Sequence, residues 1–427
     1  MTHRLFPIAF LVALLSCTAG TDIADPATDR PLDSGFEDLY RIGVMEGESW
    51  EMLGRVASVG FDESGRLYIF DTTGGFLSSR LRVLVFDSSG GFLREFGEAG
   101  EGPGELNRPN TQVVMRDGTV VIGDVGARGY HIFNPEGAFV RTVLNDNSGI
   151  SGNTRTTVSS GTILPDPAGG AFYASSSGIR VGQSETPTSR PISRNSLEGD
   201  VLGTETVIEG WLPPREGSGI SVSGAPADLA SMLSAFSMPA TFEPPLLMGV
   251  LPDGNLVYSD SSAYLLKVAS AETGEVLGRI GRPLSPRPVT DAIKEEYQAQ
   301  REERRTNAQG ASTVMIQTRG TSPDAAAVGQ QMSFTIPDPP FYPEIPVLQE
   351  LVTSWDGRIW VMRAGEELRG DGPIDVLTAE GDYIGTWPTG EIAMPDAFGP
   401  DGLAAFVELD DYDVASVVVR RLPETVR

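Results

Sequence analysis

The chain has 427 residues, of which 32 are basic and 58 acidic, and its formal net charge is −26 at pH 7. A surface this anionic repels phosphate backbones and anionic lipid headgroups, which argues against direct nucleic-acid binding. It favours basic peptides, cations or metal ions as ligands, although a merely well-solvated surface has the same composition. The single cysteine excludes an internal disulfide.

The N-terminus predicts the compartment. Arg4 supplies a positive charge, and residues 5–16 form an apolar stretch too short to span a bilayer. The stretch ends in Leu-Leu-Ser-Cys, which resembles a bacterial lipobox and implies that residues 1–16 are a lipoprotein signal peptide and that Cys17 is the acylated first residue. The alternatives are an ordinary signal peptide and a buried helix with an incidental cysteine. Because Thr18 is not the Asp that usually signals inner-membrane retention, we expect the outer membrane in a two-membrane envelope.

Residues 17–36 are rich in Asp, Thr, Ala and Pro without periodic apolar residues, which predicts a flexible tether. Residues 37–427 contain a sequence repeat that occurs about six times. Each copy has an apolar run, Asp-Gly or a variant, a second apolar run, and a further hairpin. The turns lie at 62–65, 117–118, 166–169, 253–254, 356–357 and 401–402.

Each complete copy predicts four short antiparallel strands, as in 56–61, 66–70, 81–86 and 92–96. Such a sheet has two apolar faces and must be covered by similar sheets on both sides. The sixth copy offers only 404–409 and 415–422 before the chain ends, whereas 39–44 is a spare strand ahead of the first copy. The sequence therefore predicts an all-β, six-bladed β-propeller closed by pairing 39–44 with 415–422, with no exposed sheet edge at the seam.

The segment 96–106, followed by Pro109, reads Phe-Gly-Glu-Ala-Gly-Glu-Gly-Pro-Gly-Glu-Leu. It resembles the connector of bacterial secreted six-bladed β-propeller lipoproteins, relatives of NHL-repeat and TolB-like propellers, with Leu106 in place of the usual Phe. The resemblance implies architecture and little else, because members of that family largely lack an assigned activity. In physical terms, the glycines at 97, 100, 102 and 104 permit backbone conformations closed to other residues.

The candidate site residues lie at or just beyond the ends of second strands. Asp71, Asp124 and Asp260 close these strands, and Asp410 is assigned to the same position in the last blade. Carboxylates on the rim that carries the blade connectors can hold a hard cation such as Ca²⁺, or accept backbone N–H groups and shape their own loops. Recurrence once per blade favours the structural role. The full candidate ligand-binding set is Asp71, Asp124, Arg128, Asp260 and Arg363, and the metal is left open.

Histidine chemistry is nearly absent. His131 is the only histidine that remains after processing, which excludes a His-rich zinc site and a His-dependent triad in one chain. Its place in the run 130–133 favours a structural residue in a strand.

Two insertions interrupt the repeats, at about 210–245 and 283–346. The first contains an apolar helical pattern at Leu229, Met232, Leu233 and Phe236. The second begins with Thr290 as the predicted N-cap of a helix that ends in Arg301, Arg304 and Arg305. Both join the end of one blade to the start of the next, so we expect them on one rim, as a lid over the channel mouth.

These features favour a monomeric cell-envelope lipoprotein that binds a protein, peptide or glycan at the channel mouth and meets the membrane only through its lipid. The alternative is a calcium-type, metal-dependent hydrolase or lactonase using channel carboxylates. A third possibility is a structural envelope module. Binding is favoured over catalysis, and no cofactor is expected apart from the Ca²⁺ of the alternative.

Overall fold

The protein was analysed as a computed structural model, which describes residues 28–33, 35–73, 80–145, 162–175, 188–215, 221–223, 239–307, 333–335 and 338–427. The predicted signal peptide, Cys17, most of the tether and the helical pattern at 229–236 lie outside these residues. Within them, no helix is long and apolar enough to cross a membrane.

The first half of the chain contains a strand that precedes blade 1, and three complete blades. The preceding strand is β1 (Glu37–Ile42), and the connector between blades 1 and 2 contains β6 (Glu98–Ala99) and β7 (Glu105–Leu106). Blade 1 is β2 (Arg55–Phe61), β3 (Leu67–Thr73), β4 (Arg80–Phe86) and β5 (Phe92–Phe96). Blade 2 is β8 (Pro109–Val114), β9 (Val120–Asp124), β10 (Gly129–Phe133) and β11 (Phe139–Leu144). Blade 3 is β12 (Ile163–Pro165), β13 (Ala171–Ser175), β14 (Ser189–Ser196) and β15 (Gly203–Trp211).

The second half contains blades 4 and 5, the two insertions and most of blade 6. After β16 (Ser221–Ser223), blade 4 is β17 (Leu247–Val250), β18 (Leu256–Ser259), β19 (Leu265–Ala269) and β20 (Val276–Gly281). The second insertion contains β21 (Arg287–Pro288), α1 (Asp291–Asn307), β22 (Ser333–Thr335) and β23 (Glu344–Ile345). Blade 5 is β24 (Leu348–Thr353), β25 (Ile359–Arg363), β26 (Ile374–Leu377) and β27 (Tyr383–Trp387). Blade 6 contributes β28 (Ala397–Phe398), β29 (Leu403–Leu409) and β30 (Ala415–Arg421).

The N-terminal strand completes the last blade. β1 pairs antiparallel with β30, from Glu37 opposite Arg421 to Ile42 opposite Val417, so the order in blade 6 is β28, β29, β30, β1. The predicted six-bladed propeller and its closure by the N-terminal strand are confirmed.

Each blade interface has its own apolar cluster. In the described residues there are six clusters, one for each pair of neighbouring blades around the ring. The largest buried side chains include Trp360 and Trp387, which stack 4.8 Å apart in the cluster between blades 5 and 6. The stability of each blade therefore depends on its neighbours.

The turn glycines explain why the sequence repeat is so regular. Gly118 has φ +85° and donates its N–H to the Met115 carbonyl, and the equivalent glycine adopts a positive φ in all six blades. Only glycine takes this conformation without steric cost. The connector glycines divide into two types: Gly97 and Gly104 have positive φ, whereas a Cβ on Gly100 or Gly102 would collide with or crowd Glu105.

The first described residues pack against the propeller. Pro31 forms a parallel bridge with Thr386 on the outer strand of blade 5, and Leu32 and Phe36 pack in the cluster between blades 5 and 6. The predicted tether extends to residue 36, and its described residues, 28–33 with 35 and 36, contact blades 5 and 6 at Pro31, Leu32 and Phe36.

Candidate functional site

Six equivalent residues lie on one rim of the propeller, where second strands end and blade connectors cross. Each is six positions beyond the turn glycine of its blade: Asp71, Asp124, Ser175, Asp260, Arg363 and Glu408. In blades 1 to 4 the side chain accepts a backbone N–H from the incoming connector. We call this set the latch residues.

Asp124 shows the latch in its fullest form. Its side chain is fully buried, and its two carboxylate oxygens accept four backbone N–H groups, those of Asn107, Arg108, Gly126 and Ala127, at 2.6–3.1 Å. Two of these donors belong to the connector and two to the loop after the strand. The carboxylate thus replaces the missing backbone acceptors of two loops.

Asp71 and Asp260 combine the same role with a cation. Asp71 accepts the N–H of Gly54 at 2.7 Å and pairs with the buried guanidinium of Arg82 at 2.8 Å. Asp260 accepts the N–H of Trp211 at 2.9 Å and pairs with Lys267 at 2.7 Å. The oxygens that a calcium ion would require therefore already have protein partners.

In blade 5 the basic residue lies at the latch position and the acidic residue lies beside it, the reverse of blades 1 and 4. Arg363 occupies the latch position, and the acid lies on the neighbouring strand as Asp375, which is fully buried. Asp375 binds Arg282 at 2.8 Å and Arg363 at 3.3 Å, and it also accepts hydrogen bonds from Tyr264 and Thr386. Asp29, from the N-terminal segment, pairs with both arginines. This network joins blade 4, blade 5 and the N-terminal segment.

Blade 6 corrects one sequence assignment. Glu408 is the latch residue and pairs with Arg41 of β1 and Arg420 of β30. Asp410, the residue predicted for this position, is exposed and accepts the N–H groups of Tyr412 and Val414 in the following hairpin. The strand end does not mark the equivalent position, because Asp410 lies eight positions beyond Gly402 instead of six and therefore belongs to the hairpin that follows β29.

Arg128 and His131 lie close to Asp124 in sequence. Arg128 is exposed and adopts φ +56° in the loop after the latch. His131 is buried in β10, where its Nδ1 contacts Thr142 Oγ1 at 2.9 Å and its Nε2 lies 3.8 Å from Asp124. Burial lowers the pKa of His131, although the Asp124 carboxylate opposes this shift. The residue is therefore placed as a structural member of the blade.

The five predicted ligand residues belong to four different blades, and four of them have local partners: Asp71, Asp124, Asp260 and Arg363. Within the described residues, no group of three or more His, Cys, Asp or Glu side chains could hold a metal ion. The geometry consequently gives the calcium-type site no support from the latch carboxylates.

A different pair of acids lies nearer the axis. The first strands of most neighbouring blades contact each other, which places them around the axis, and Glu350 lies on the first strand of blade 5. Burial raises the pKa of Glu350, and the nearby carboxylates of Asp396 and Asp371 raise it further. Asp396, which precedes the first strand of blade 6, is exposed as a residue, but the protein atoms around its carboxyl group partly desolvate that group and raise its pKa. The hydrogen bond from the N–H of Val407 lowers the pKa and so opposes this shift. The sequence offered no signal for this pair, because the acids are 46 positions apart in the printed numbering.

The Glu350→Gln variant should melt at a higher temperature than the wild type at about pH 8 and at nearly the same temperature at about pH 4. Because the folded protein holds the proton of this carboxyl more tightly than the unfolded chain does, its ionisation lowers the free energy of unfolding as the pH rises through the folded-state pKa. Thermal melts across this range test the effect, with exposed Glu391→Gln as the control. A variant less stable than the wild type at about pH 8 would contradict this assignment of the shift.

The two insertions form one unit on the connector rim, which we call the cap: 212–215, 221–223 and 239–246 with 282–307, 333–335 and 338–347. β16 of the first insertion pairs with β22 of the second, and the N–H groups of Thr241 and Tyr342 cross between them to the carbonyls of Pro340 and Thr241. The predicted helix is present, and Thr290 Oγ1 accepts the N–H of Ile293 as its N-cap.

Side chains attach the cap to blades 3, 4 and 5. Buried Arg190 of blade 3 donates to the carbonyls of Trp211 and Pro244, Ser262 beyond β18 donates to Glu344, and Arg287 donates to the carbonyl of Glu366. The buried Arg215 and Glu243 form a bidentate ion pair inside the cap. These contacts make the cap a fixed surface of the rim.

The centre of the cap is aromatic. Phe242, Tyr297 and Phe341 lie with ring centroids 5.3–6.0 Å apart, and all three are half-buried. The guanidinium of Arg369, from the rim loop of blade 5, lies 4.6 Å from the Tyr297 ring and donates to its hydroxyl. Phe242 adopts φ +68°, a strained conformation for a bulky residue.

Comparisons with solved structures found distant similarities. A protein of Bacteroides fragilis named "putative exported protein" is 12% identical with a TM-score of 0.49, over 93% of this chain and 98% of its own. A DUF4221-family protein of Bacteroides vulgatus is 9% identical with a TM-score of 0.43, over 90% and 97%. Virginiamycin B lyase of Staphylococcus aureus is 11% identical with a TM-score of 0.38, over 90% and 89%.

No protein-family profile matches the chain, and no curated protein sequence is similar to it. The similarities to solved structures are too distant to transfer an activity. What is established is the class of the molecule, a six-bladed β-propeller with a fused cap on its connector rim.

Proposed function

We propose that this protein is a cell-envelope lipoprotein whose propeller binds a protein, peptide or glycan through the cap on its connector rim. The observation that carries the proposal is the half-buried cluster of Phe242, Tyr297 and Phe341 beside the exposed Arg369. Aromatic residues and arginine are the side chains most enriched at the energetic centres of recognition surfaces.

The way the cap is held supports this reading. A ligand surface binds more tightly when its side chains need no ordering on association. Here three kinds of contact hold the cluster in place before any ligand binds. They are the β16–β22 pairing with the bridge between Thr241 and Phe341, the Arg215–Glu243 ion pair, and the attachments to three blades. The strain at Phe242 is a feature that accumulates at binding and catalytic sites.

The hydrolase alternative receives less support. Asp71, Asp124 and Asp260 use their carboxylates to hold backbone and cations, as described above. Glu350 and Asp396 have the raised pKa values that acid catalysts use, but within the described residues no group of three acidic, histidine or cysteine side chains could hold a metal ion. They are the residues to test if turnover is found.

The binding proposal is tested by a thermal-shift screen of synthetic peptides and oligosaccharides, followed by Kd measurements on the strongest hit. Replacing Arg369 or Phe341 with alanine should weaken binding by about tenfold or more. Glu295→Ala is the matched control, because Glu295 is exposed on α1 two positions from Tyr297 and points to another side of the helix. Equal weakening in the control, or none in the two variants, would contradict the cap as the ligand surface.

Two further measurements separate the alternatives. A chelator should leave the binding unchanged, whereas chelator-sensitive turnover of a lactone and ester panel that is lost in Glu350→Gln would establish the hydrolase instead. For the anchor, Cys17→Ala should release the protein from the membrane fraction and abolish labelling with a radioactive fatty acid. Unchanged membrane association and labelling in that variant would contradict the lipoprotein assignment.

A further inference from the structure

A second surface lies on the same rim, at the seam between blades 6 and 1. Five apolar side chains are exposed there, from 37% for Met52 to 78% for Tyr412. They are Val44, Met45 and Met52 of the connector from β1 to blade 1, and Leu409 and Tyr412 of the hairpin between β29 and β30. We call them the seam patch.

Backbone pairing brings the two segments together. Gly43 lies against Ala415 and Ser416, and Ala415 pairs with Leu409. Since neighbouring strands are about 4.8 Å apart, the connector and the hairpin lie within about 10 Å of each other. Within the connector, the N–H of Val44 donates to the carbonyl of Glu51 at 3.0 Å, which places Met52 beside Val44.

Buried side chains of blade 1 and backbone hydrogen bonds hold the two segments of the patch in place without a ligand. Buried Arg82 donates to the carbonyls of Ser49 and Met52, and Trp50 stacks on Phe92 with ring centroids 5.0 Å apart. Asp410 accepts the N–H groups of Tyr412 and Val414 and thereby fixes the hairpin tip. Apolar side chains displayed on a rigid support at this exposure are typical of an interaction site.

The charge around the patch indicates the partner. Residues 43–54 and 409–414 contain six acids and no Lys, Arg or His: Glu46, Glu48, Glu51, Asp410, Asp411 and Asp413. All of these except Glu51 are exposed. A partner must therefore supply apolar side chains for the centre and basic groups for the border.

We propose that the seam patch docks a partner protein through a basic amphipathic segment, with its apolar face on Tyr412 and Leu409 and its Lys or Arg side chains against the surrounding carboxylates. An anionic lipid surface would be repelled by the same acids. A second copy of this chain would bring two acidic borders together in a symmetric contact. The seam patch does not overlap the cap, which is attached to blades 3 to 5, so the two proposals can fail separately.

The probe is a synthetic amphipathic helical peptide with leucine on one face and lysine on the other, and its Kd is measured with the full-length protein. The Leu409→Ser/Tyr412→Ser double variant should weaken binding by about tenfold or more, and raising the salt concentration should weaken it in the wild type. The matched peptide with glutamate in place of lysine should not bind. Leu277→Ser is the control variant, because Leu277, at 58% exposure, is another largely exposed leucine and lies on the outer strand of blade 4.

Three outcomes would overturn the proposal. The first is a Kd that is unchanged in the double variant, or that rises as much in Leu277→Ser as in the double variant. Binding would then depend on net charge alone. The second is binding to phosphatidylglycerol vesicles that is lost in the double variant, which would make the surface a membrane contact. The third is a concentration-dependent dimer, measured by sedimentation, that the double variant abolishes. In each case the cap variants Arg369→Ala and Phe341→Ala retain the seam patch and test the other proposal independently.

Discussion

Replacing Asp375 with alanine should lower the free energy of unfolding by about 3–5 kcal/mol, because the fully buried guanidinium of Arg282 would then keep only the partly exposed Asp29 as a carboxylate partner. Both side chains are fully buried and 2.8 Å apart. Tyr264 and Thr386 would also lose their hydrogen-bond acceptor. Burial and the Asp375 carboxylate together raise the pKa of Tyr264 well above 10, so this hydroxyl stays protonated and its donated bond is lost in full.

Chemical denaturation measures the loss, and two variants show its cause. Asp29→Ala removes a partner of the same arginines that is 42% exposed, so it should cost no more than about 1 kcal/mol. The Asp375→Ala/Arg282→Met double variant should recover much of the stability, because a buried pair replaced by apolar side chains carries no unpaired charge. If the double variant were as unstable as Asp375→Ala, the loss of the buried carboxylate partner of Arg282 would not be the cause.

Removing β1 should have the second large effect. A chain that begins at residue 43 loses the buried Ile42 and the packed Leu39 and Tyr40, which together contribute about 5 kcal/mol by area. It also exposes the edge of β30, whose run of three valines is a template for intermolecular pairing. We expect a lower melting temperature and aggregation, measured by thermal melts with light scattering.

The matched control is a chain that begins at Gly35, which keeps β1 and loses only the segment along blade 5. It should remain monomeric and lose mainly the exposed Asp29 pairs and the contact of Leu32. Adding a synthetic peptide of residues 35–46 to the shorter chain should restore part of the melting temperature. Equal stability of the two truncated chains would show that β1 does not close the ring energetically.

Much of the fold was predictable because its rules are local. The glycine in each repeat turn must adopt a positive φ, and the apolar runs on either side must pair as a hairpin, so the copies can be counted from the printed sequence. The missing outer strand of the last blade and the spare strand predicted at residues 39–44, which the structure shows at 37–42, then determine the closure. The same counting, six residues on from the turn glycine, would have found Glu408 in place of Asp410.

The candidate site was predictable only in part. Asp71, Asp124 and Asp260 are recognisable from their positions, but whether their oxygens face a ligand or a backbone N–H depends on where the connector runs. Asp375 went unnoticed because its role depends on partners from two other blade strands and from the N-terminal segment. The Phe242 cluster combines residues that are far apart in the chain.

By itself the sequence determined the repeat, the number of blades and the strand that closes them, since backbone conformation and apolar alternation act between neighbouring residues. Only the tertiary structure decided that the rim carboxylates are latches, that the two insertions fuse into one cap, and that the hairpin with Leu409 and Tyr412 lies near the connector with Val44 at the seam. These features join distant segments, and their geometry follows from how the blades pack around the axis, which no local pattern encodes.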